Sequence, residues 1–131
     1  MDLSRSLVIL RGLPGSGKTS FAKLFKAPVC SADDYLMLGG KYIWTHDGAI
    51  KAHAACQEKC KRLMIDGTPL IVISNMHVKS RDMRPYTKLA EDFNYKVFSV
   101  IVENRHEGVN DHGVTEKMLK DNEERFQIKL R

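Results

Sequence analysis

The feature that most constrains this chain is a glycine-rich loop close to its first residue. The loop follows an apolar run at 7–10 and precedes a helical pattern, which is the context that a phosphate-binding loop needs. It fits the pattern G-x-x-x-x-G-K-[ST] at every fixed position and consists of Gly12, Leu13, Pro14, Gly15, Ser16, Gly17, Lys18 and Thr19. Glycines let backbone N–H groups turn toward a phosphate, and the amino end of the next helix attracts an anion. The sequence therefore predicts a nucleoside triphosphate site.

Two side chains at the end of this loop have predictable roles. Lys18 is long enough to reach the β and γ oxygens of ATP, and the Thr19 hydroxyl is a ligand that Mg²⁺ accepts. We expect the loop, together with Ser20, to bind ATP and Mg²⁺. The alternative is an ordinary glycine turn before a helix.

Apolar strands and amphipathic helices alternate along the whole chain. Strands are predicted in "SLVILRG", "VCSADDY", "PLIVIS" and "YKVFSVIVE". Helices are predicted after the loop, with Phe21, Leu24 and Phe25 on one face, then over 47–66, in "SRDMRPYTKLAEDF" and in "VTEKMLKDNEERFQIKL". This alternation predicts an α/β fold, namely a three-layer P-loop NTPase fold with a parallel sheet of four to five strands and helices on both faces. The 131 residues suit a single domain over 1–131.

Composition restricts the cellular compartment and the binding partners that we expect for the chain. Lys and Arg number 21 against 16 Asp and Glu, so the net charge of +5 suits a polyanionic partner, although an ordinary soluble surface explains it equally well. Cys30, Cys56 and Cys60 form an odd set without a secretory leader, which favours reduced thiols in the cytoplasm. The apolar runs are too short for a membrane span. The sequence does not predict an oligomeric state.

The absence of two motifs narrows the class of nucleotide enzyme. Motor ATPases usually hold Mg²⁺ with an aspartate at a strand end, but the most apolar strand here ends in Ser74, Asn75 and Met76. No Asn-Lys-x-Asp segment that would select guanine is present. A small kinase remains, because it needs only the phosphate loop, a base for the acceptor hydroxyl and cationic groups near the γ-phosphate.

Asp33 and Asp34 follow the second predicted strand, where parallel sheets bring ligands and side chains together. Because successive strand residues point to opposite faces, we expect only one of the pair to reach the γ-phosphate. A carboxylate there can take the proton of an acceptor hydroxyl during phosphoryl transfer. The alternative is a turn or helix cap formed by "SADDY".

Several segments together resemble the polynucleotide-kinase-like branch of P-loop kinases. They are "LVILRGLPGSGKTSFAKLF", "CSADDYL", "AH" on a long helix, "LIVISNMH", "MRPY" and "HGV" leading to "RF", and they span residue 7 to about residue 130. The resemblance implies transfer of the ATP γ-phosphate to the 5′-hydroxyl of RNA or DNA, as in nucleic-acid repair. It also implies that Lys18 and Thr19 bind ATP and Mg²⁺, that Asp33 is the general base, and that a lid covers the site at about 103–114. As a separate expectation, Asp33 contacts the metal through water.

The sequence departs from that family on the acceptor side. Phage members of the family carry basic residues beside the aspartate pair, whereas this chain has Ala32 and Leu36 there. The phage members also carry an aspartate at the strand end where this chain has Asn75. The lid is also shorter and less basic than theirs. Two further hypotheses therefore stay open: a kinase for a nucleoside or metabolite, and a nucleotide-binding module that assists a repair enzyme with little catalysis of its own.

Further candidate residues follow from position and chemistry. Arg105, and less so His106, would contact the γ-phosphate or adenine from the lid, although an exposed loop arginine is an equal alternative. The basic set at the start of the third helix suits an acceptor phosphate or a solvated turn, and consists of Lys79, Arg81 and Arg84.

Two further sets of candidate residues lie on the helix predicted over 47–66 and in the segment just before it. Trp44 and Tyr42 would stack on a base or cover the core. His53, Cys56 and Cys60 share a helical face, which favours core packing over metal binding, with His53 either in the core or near the acceptor.

Overall fold

A computed structural model describes residues 5–38, 41–77, 79–105 and 116–128. Its strands are β1 (Ser6–Arg11), β2 (Val29–Cys30), β3 (Met37–Leu38), β4 (Lys41–Tyr42), β5 (Leu70–Ser74) and β6 (Lys96–Ile101). Its helices are α1 (Lys18–Lys23), α2 (His46–Ile65), α3 (Ser80–Phe93) and α4 (Glu116–Arg125), and a short 3₁₀ helix covers Ala32–Tyr35.

Four parallel strands form the main sheet in the order β2-β5-β1-β6. β1 pairs with β5 on one side and with β6 on the other, and β3 pairs with β4 in a separate antiparallel hairpin. Helices cover both faces of this sheet, so the predicted α/β fold is confirmed. The sheet in the described part of the chain has the smaller of the two predicted strand numbers.

Alternating residues of β1 divide the core between two layers. Leu7 and Ile9 are fully buried in the larger cluster, to which α2 and α3 contribute. Val8 and Leu10 point to the opposite face and join the smaller cluster beside α1. A strand buried on both faces reads as a continuous apolar run, which is why β1 could be predicted from four consecutive residues.

The first helix is shorter than the predicted helix, and one expectation about its packing was wrong. α1 has six residues and ends at Lys23, and Lys26 adopts a left-handed φ of 50°. Phe21 and Phe25 still pack edge to face, with ring centroids 5.5 Å apart. Leu24, which helical spacing assigned to the same face, is 74% exposed because the helix has already ended.

α3 and α4 complete the layer architecture. Tyr86 and Ala90 of α3 are buried, and Met83, Leu89 and Phe93 pack against the same core, as the periodicity predicted. α4 ends at Arg125, so residues 126–128 do not continue the helix as predicted. None of the helices in the described ranges has the length and apolarity to cross a bilayer.

Candidate active site

The glycine-rich loop joins β1 to α1 in a conformation that glycine favours. Gly15 and Gly17 have φ values of 81° and 98°, a region where a Cβ would be strained. At Gly12 the constraint is space, because a Cβ there would lie 2.7 Å from the backbone oxygen of Val102. The Gly12 N–H donates to the Met76 carbonyl over 3.1 Å, which ties the loop to the end of β5.

Lys18 folds back onto this loop. Its Nζ donates to the Gly12 carbonyl over 2.6 Å and to the Leu13 carbonyl over 3.1 Å. Burial lowers the pKa of Lys18 to about 8, and the Asp33 carboxylate partly opposes that shift. A phosphate oxygen placed in the loop would offer the ammonium a stronger, charged acceptor than these carbonyls.

A cavity of about 990 Å³ lies beside the loop, at the carboxyl ends of β1, β2 and β5. Of the predicted nucleotide-binding residues, those lining it are Pro14, Gly15, Gly17, Lys18, Thr19 and Ser20; Gly12, Leu13 and Ser16 are not among the lining residues. The rest of the lining comprises Ala32, Asp33, Leu36, Trp44, Ala49, His53, Gln57, Ser74, Asn75, Met76, His77, Arg81, Asp82, Pro85, Tyr86, Met118 and Asn122.

The aspartate pair does not sit on an extended strand as predicted. β2 ends at Cys30, and Asp33 and Asp34 belong to the 3₁₀ helix, so strand alternation is not what separates them. Asp33 is half-buried and lines the cavity, whereas Asp34 is exposed outside it. The expectation that only one carboxylate faces the site therefore agrees with the structure for a different geometric reason.

Asn75 holds the 3₁₀ helix against the end of β5. Its Oδ1 accepts from the Ala32 backbone N–H over 2.9 Å, and its Nδ2 lies 3.7 Å from the Cys56 sulfur. The side chain is buried, with 6% exposure. An amide can accept on one side and donate on the other, which a carboxylate cannot do when ionised. Asn75 thus positions the segment that carries Asp33.

His77 follows β5 and forms part of the cavity wall. It is 5% exposed, has a left-handed φ of 48°, and its ring stacks on Tyr86 with centroids 5.5 Å apart. Within the described residues its Nδ1 has no hydrogen-bond partner. Burial lowers the pKa of His77 to about 4, so the imidazole is neutral near pH 7.

The helices contribute side chains that the sequence only partly indicated. His53 is exposed and faces the cavity, so the core alternative is wrong. Gln57 lies one turn beyond His53 on α2, and Met118 and Asn122 are spaced in the same way on α4. That i, i+4 spacing was the available signal for these residues, which were missed, as was Asp82. Of the basic set on α3, Arg81 lines the cavity.

Arg105 is not brought to the cavity. Its Nη2 lies 3.0 Å from a Glu103 oxygen, and its side chain is 83% exposed. A carboxylate two residues away is the nearer partner for this guanidinium. Most of the predicted lid, including His106, lies outside the described residues, as does the side chain of Tyr42. A catalytic role for Arg105 stays a prediction, and it would require the guanidinium to leave Glu103 when substrate binds.

The cysteines are core residues. All three are free, and all three are fully buried among α2, β2 and their neighbours. No group of three or more metal-ligating side chains occurs within the described ranges. The predicted core packing of Cys56 and Cys60 agrees with their burial.

Solved structures share this architecture. A chain of the Pnkp1/Rnl/Hen1 RNA repair complex matches with a TM-score of 0.72 at 16% identity, over 96% of this chain and 45% of that one. Kti12 of Chaetomium thermophilum, solved with ADP-AlF₃, matches with a TM-score of 0.62 at 12% identity, over 93% and 80% of the two chains. A gluconokinase from Sinorhizobium meliloti gives 0.57 at 19% identity, over 95% and 77%.

The chain has a P-loop kinase-like fold. This confirms the fold that the glycine loop and the alternating elements predicted. No protein-family model matches the chain. A curated relative, human NEDD4-binding protein 2, is 33% identical over 96 residues, which are 70% of this chain and 5% of that protein's length. The P-loop kinase-like domain thus corresponds to a small part of that relative.

Proposed function

We propose that this protein is an ATP-dependent phosphotransferase that transfers the γ-phosphate to the 5′-hydroxyl of an RNA or DNA end. The observation that carries this proposal is the pairing of Lys18 and Asp33 across one cavity. Lys18 sits in the phosphate loop, and the Asp33 carboxylate is near enough to raise the lysine pKa against the effect of burial. A phosphate clamp and a carboxylate base are the two halves of a kinase site.

Residues in two walls of the cavity have different roles in the proposed reaction. Loop amides and Lys18 hold the β- and γ-phosphates, and Asp33 accepts the proton of the attacking hydroxyl. The hydroxyl oxygen bonds to the γ-phosphorus as the bond from that phosphorus to the bridging oxygen of ADP breaks. The products are a phosphate monoester, ADP and a proton that Asp33 later releases to solvent. Positioning supplies most of the rate in such a reaction.

A magnesium ion fits this donor set. Thr19 and Asp33 line the same cavity beside Lys18 and offer the hydroxyl and carboxylate oxygens that hard cations prefer. When bound, the ion neutralises charge on the phosphate oxygens. Thr19 would hold it directly, and Asp33 would hold it through water.

Four observations support a polynucleotide acceptor. The sequence motifs resemble polynucleotide kinases, and the chain shares its fold with a chain of an RNA repair complex at a TM-score of 0.72. The excess of 21 basic over 16 acidic residues also favours a polyanion. Arg81, at the start of α3, is a cation in the cavity wall that an acceptor phosphate could meet.

A small-molecule acceptor is the second candidate. Ala32 and Leu36 flank the aspartate pair and are 3% and 7% exposed, so these two positions are apolar and buried where phage polynucleotide kinases carry basic residues. The fold is also shared with a gluconokinase, at a TM-score of 0.57. A kinase for a nucleoside or a metabolite would fit these two observations.

The deciding experiment offers γ-labelled ATP together with 5′-hydroxyl DNA, 5′-hydroxyl RNA or a free nucleoside. We expect label on an oligonucleotide with the unchanged protein and none with Lys18→Ala. Transfer to the nucleoside alone would replace the proposal with the second candidate. Binding of ATP without transfer to any acceptor would favour a nucleotide-binding module that assists another enzyme.

A further inference from the structure

Trp44 stands out among the residues that line the cavity. It is the one tryptophan in the sequence, its side chain is 60% exposed, and it nevertheless forms part of the cavity wall. Burying an aromatic ring of this size is strongly favourable, so an indole left open beside a site is an unused binding surface. No role in the phosphotransfer described above accounts for it.

The backbone on both sides of Trp44 is fixed. The Ile43 N–H donates to the Leu36 carbonyl over 2.9 Å. On the other side, Thr45 caps α2: its Oγ1 accepts from the Gly48 N–H over 3.0 Å, and its carbonyl accepts from Ala49 over 2.8 Å. An exposed ring on an anchored backbone loses little conformational freedom when a ligand stacks on it.

The same hydrogen bonds place Trp44 on the wall that carries Asp33. The Leu36 N–H donates to the Asp33 carbonyl over 3.0 Å, and the Leu36 carbonyl accepts from Ile43, the residue before Trp44. Asp33 and Trp44 are therefore joined through Leu36 and Ile43 rather than through the phosphate loop. A molecule held by the indole lies on the side of the candidate base.

Large apolar side chains within seven residues of Trp44 are also exposed. Met37, Ile43 and Ile50 are 46%, 45% and 59% exposed. A ligand that contacts the indole together with such side chains would gain mainly from its ring faces and apolar edges. Bases of a single strand offer such faces whatever their sequence.

We propose that Trp44 is the stacking platform for the unpaired terminal base of a single-stranded polynucleotide whose 5′-hydroxyl is presented to Asp33. This inference rests on the proposed function and adds the strandedness of the acceptor and the residue that grips it. Stacking replaces the basic neighbours that the Asp33 segment lacks. It is tolerant of base identity and requires that the end be unpaired.

The tryptophan itself is the probe. A 5′-hydroxyl single-stranded oligonucleotide should quench the intrinsic fluorescence of the protein, whereas ATP without oligonucleotide, and the same strand in a blunt duplex, should not. In the transfer assay, Trp44→Ala should raise the oligonucleotide KM about tenfold and leave the ATP KM unchanged. Trp44→Phe keeps a ring and should retain most of the affinity. Ile65→Ala, which truncates an exposed side chain of α2 outside the cavity, is the matched control.

Quenching by ATP alone would assign the indole to the adenine and overturn the inference. An unchanged oligonucleotide KM in Trp44→Ala would overturn it too, even with full kinase activity. Quenching by the single strand without phosphoryl transfer would support the platform and reject the kinase. Transfer to a nucleoside, with no quenching by any oligonucleotide, would reject the platform and retain a kinase.

Discussion

The loop at 12–20 and the wall around Asp33 face the same cavity, but different kinds of interaction hold them in place. The loop is one continuous stretch whose shape follows from Gly15 and Gly17, with φ values of 81° and 98°. The Asp33 wall depends on contacts between distant elements, such as the bond from Ala32 to Asn75, which are 43 residues apart. Local geometry can be read from neighbouring residues, whereas a wall assembled by tertiary contacts cannot.

The two walls also differ in charge. Lys18 is held among backbone carbonyls, with its pKa lowered to about 8 by burial. On the opposite side the carboxylate of Asp33 is flanked by the apolar Ala32 and Leu36. A kinase needs this asymmetry, because one wall must bind a polyanion and the other must accept a proton. Substitutions on the two walls should therefore fail in different ways.

The first prediction compares a substitution in the Asp33 wall with one in the phosphate-binding loop, by their effects on ATP binding and on phosphoryl transfer. Asp33→Asn should lower the transfer rate about 10³-fold and leave ATP affinity almost unchanged, because the amide keeps the shape of the base but cannot take the proton. Lys18→Ala should lose both ATP binding and transfer. Nucleotide titration and single-turnover transfer measure the two quantities separately.

Asp34→Asn is the matched control for this pair. Asp34 belongs to the same 3₁₀ helix but is exposed and lies outside the cavity lining, so its transfer rate should stay near that of the unchanged protein. Equal losses in the two asparagine variants would mean that the charge of the segment matters, rather than a base at Asp33.

The second prediction concerns how the loop is packed. Gly12→Ala should lower the free energy of unfolding by about 3 kcal/mol, because the new Cβ would lie 2.7 Å from the Val102 backbone oxygen. Gly67→Ala is the control: its φ is +73°, but the added Cβ meets nothing within 4 Å, so it should cost about 1 kcal/mol. Urea denaturation compares the two, and similar losses would show that the loop tolerates displacement from β6.

The contrast between the walls explains which features the sequence could predict. The loop motif, β1, α3 and the core positions of Cys56 and Cys60 on α2 all follow from local patterns, and each was predicted, whereas His53, assigned to the same face of α2, is exposed. Leu24 was misplaced because helical spacing does not reveal that α1 stops after six residues. Asp33 was placed on a strand because the local sequence did not show that β2 ends at Cys30 and is followed by a 3₁₀ helix, whose first residue donates to Asn75, 43 residues away.

Arg105 shows a related limit of sequence-based prediction, because its position in the chain does not show which partner its side chain contacts. A loop position near the carboxyl edge made it a candidate for the γ-phosphate, but a competing partner, Glu103, stands two residues away. Gln57, Met118 and Asn122 were missed because their i, i+4 spacing shows only that residues share a helical face, and does not show that this face meets the cavity. Helical periodicity reveals which residues share a face, not what that face meets.

The third prediction concerns the pH dependence of the free energy of unfolding that results from His77 in the cavity wall. The pKa of His77 is about 4 in the folded protein, below its ordinary value of 6.5, so the unfolded chain binds the proton more readily. The stability due to neutral His77 is fully present above pH 6.5 and is lost as the pH falls to about 4. The loss should reach about 3 kcal/mol.

Urea denaturation at pH 7 and at pH 4.5 measures this loss in the unchanged protein and in His77→Asn. The asparagine variant lacks the titrating group and should lose less stability between those two values. An equal loss in both proteins would assign the pH dependence to other groups. ATP binding at pH 7 should survive the substitution, since His77 lies outside the phosphate loop.

The fourth prediction concerns the pH dependence of triphosphate binding by Lys18 in the phosphate-binding loop. Lys18 has a pKa of about 8 in the free protein, so its ammonium is present below that value and is lost above it. A triphosphate favours the charged form, and its apparent Kd should therefore rise by about tenfold per pH unit above pH 8. Lys18→Met should bind weakly with no such slope. A slope that persists in Lys18→Met would place the titrating group elsewhere.

The smallest expected effect compares two arginines that the sequence could not rank. Arg81→Ala removes a cation from the cavity wall and should raise the acceptor KM by about fivefold, the size of a single phosphate contact. Arg105→Ala removes a side chain that is 83% exposed and paired with Glu103, so acceptor and ATP KM should both change less than twofold. Steady-state transfer at varied acceptor and fixed ATP measures the difference. If Arg105→Ala proves the more damaging, its guanidinium must leave Glu103 when substrate binds, and the phosphate wall would then extend beyond the contiguous loop.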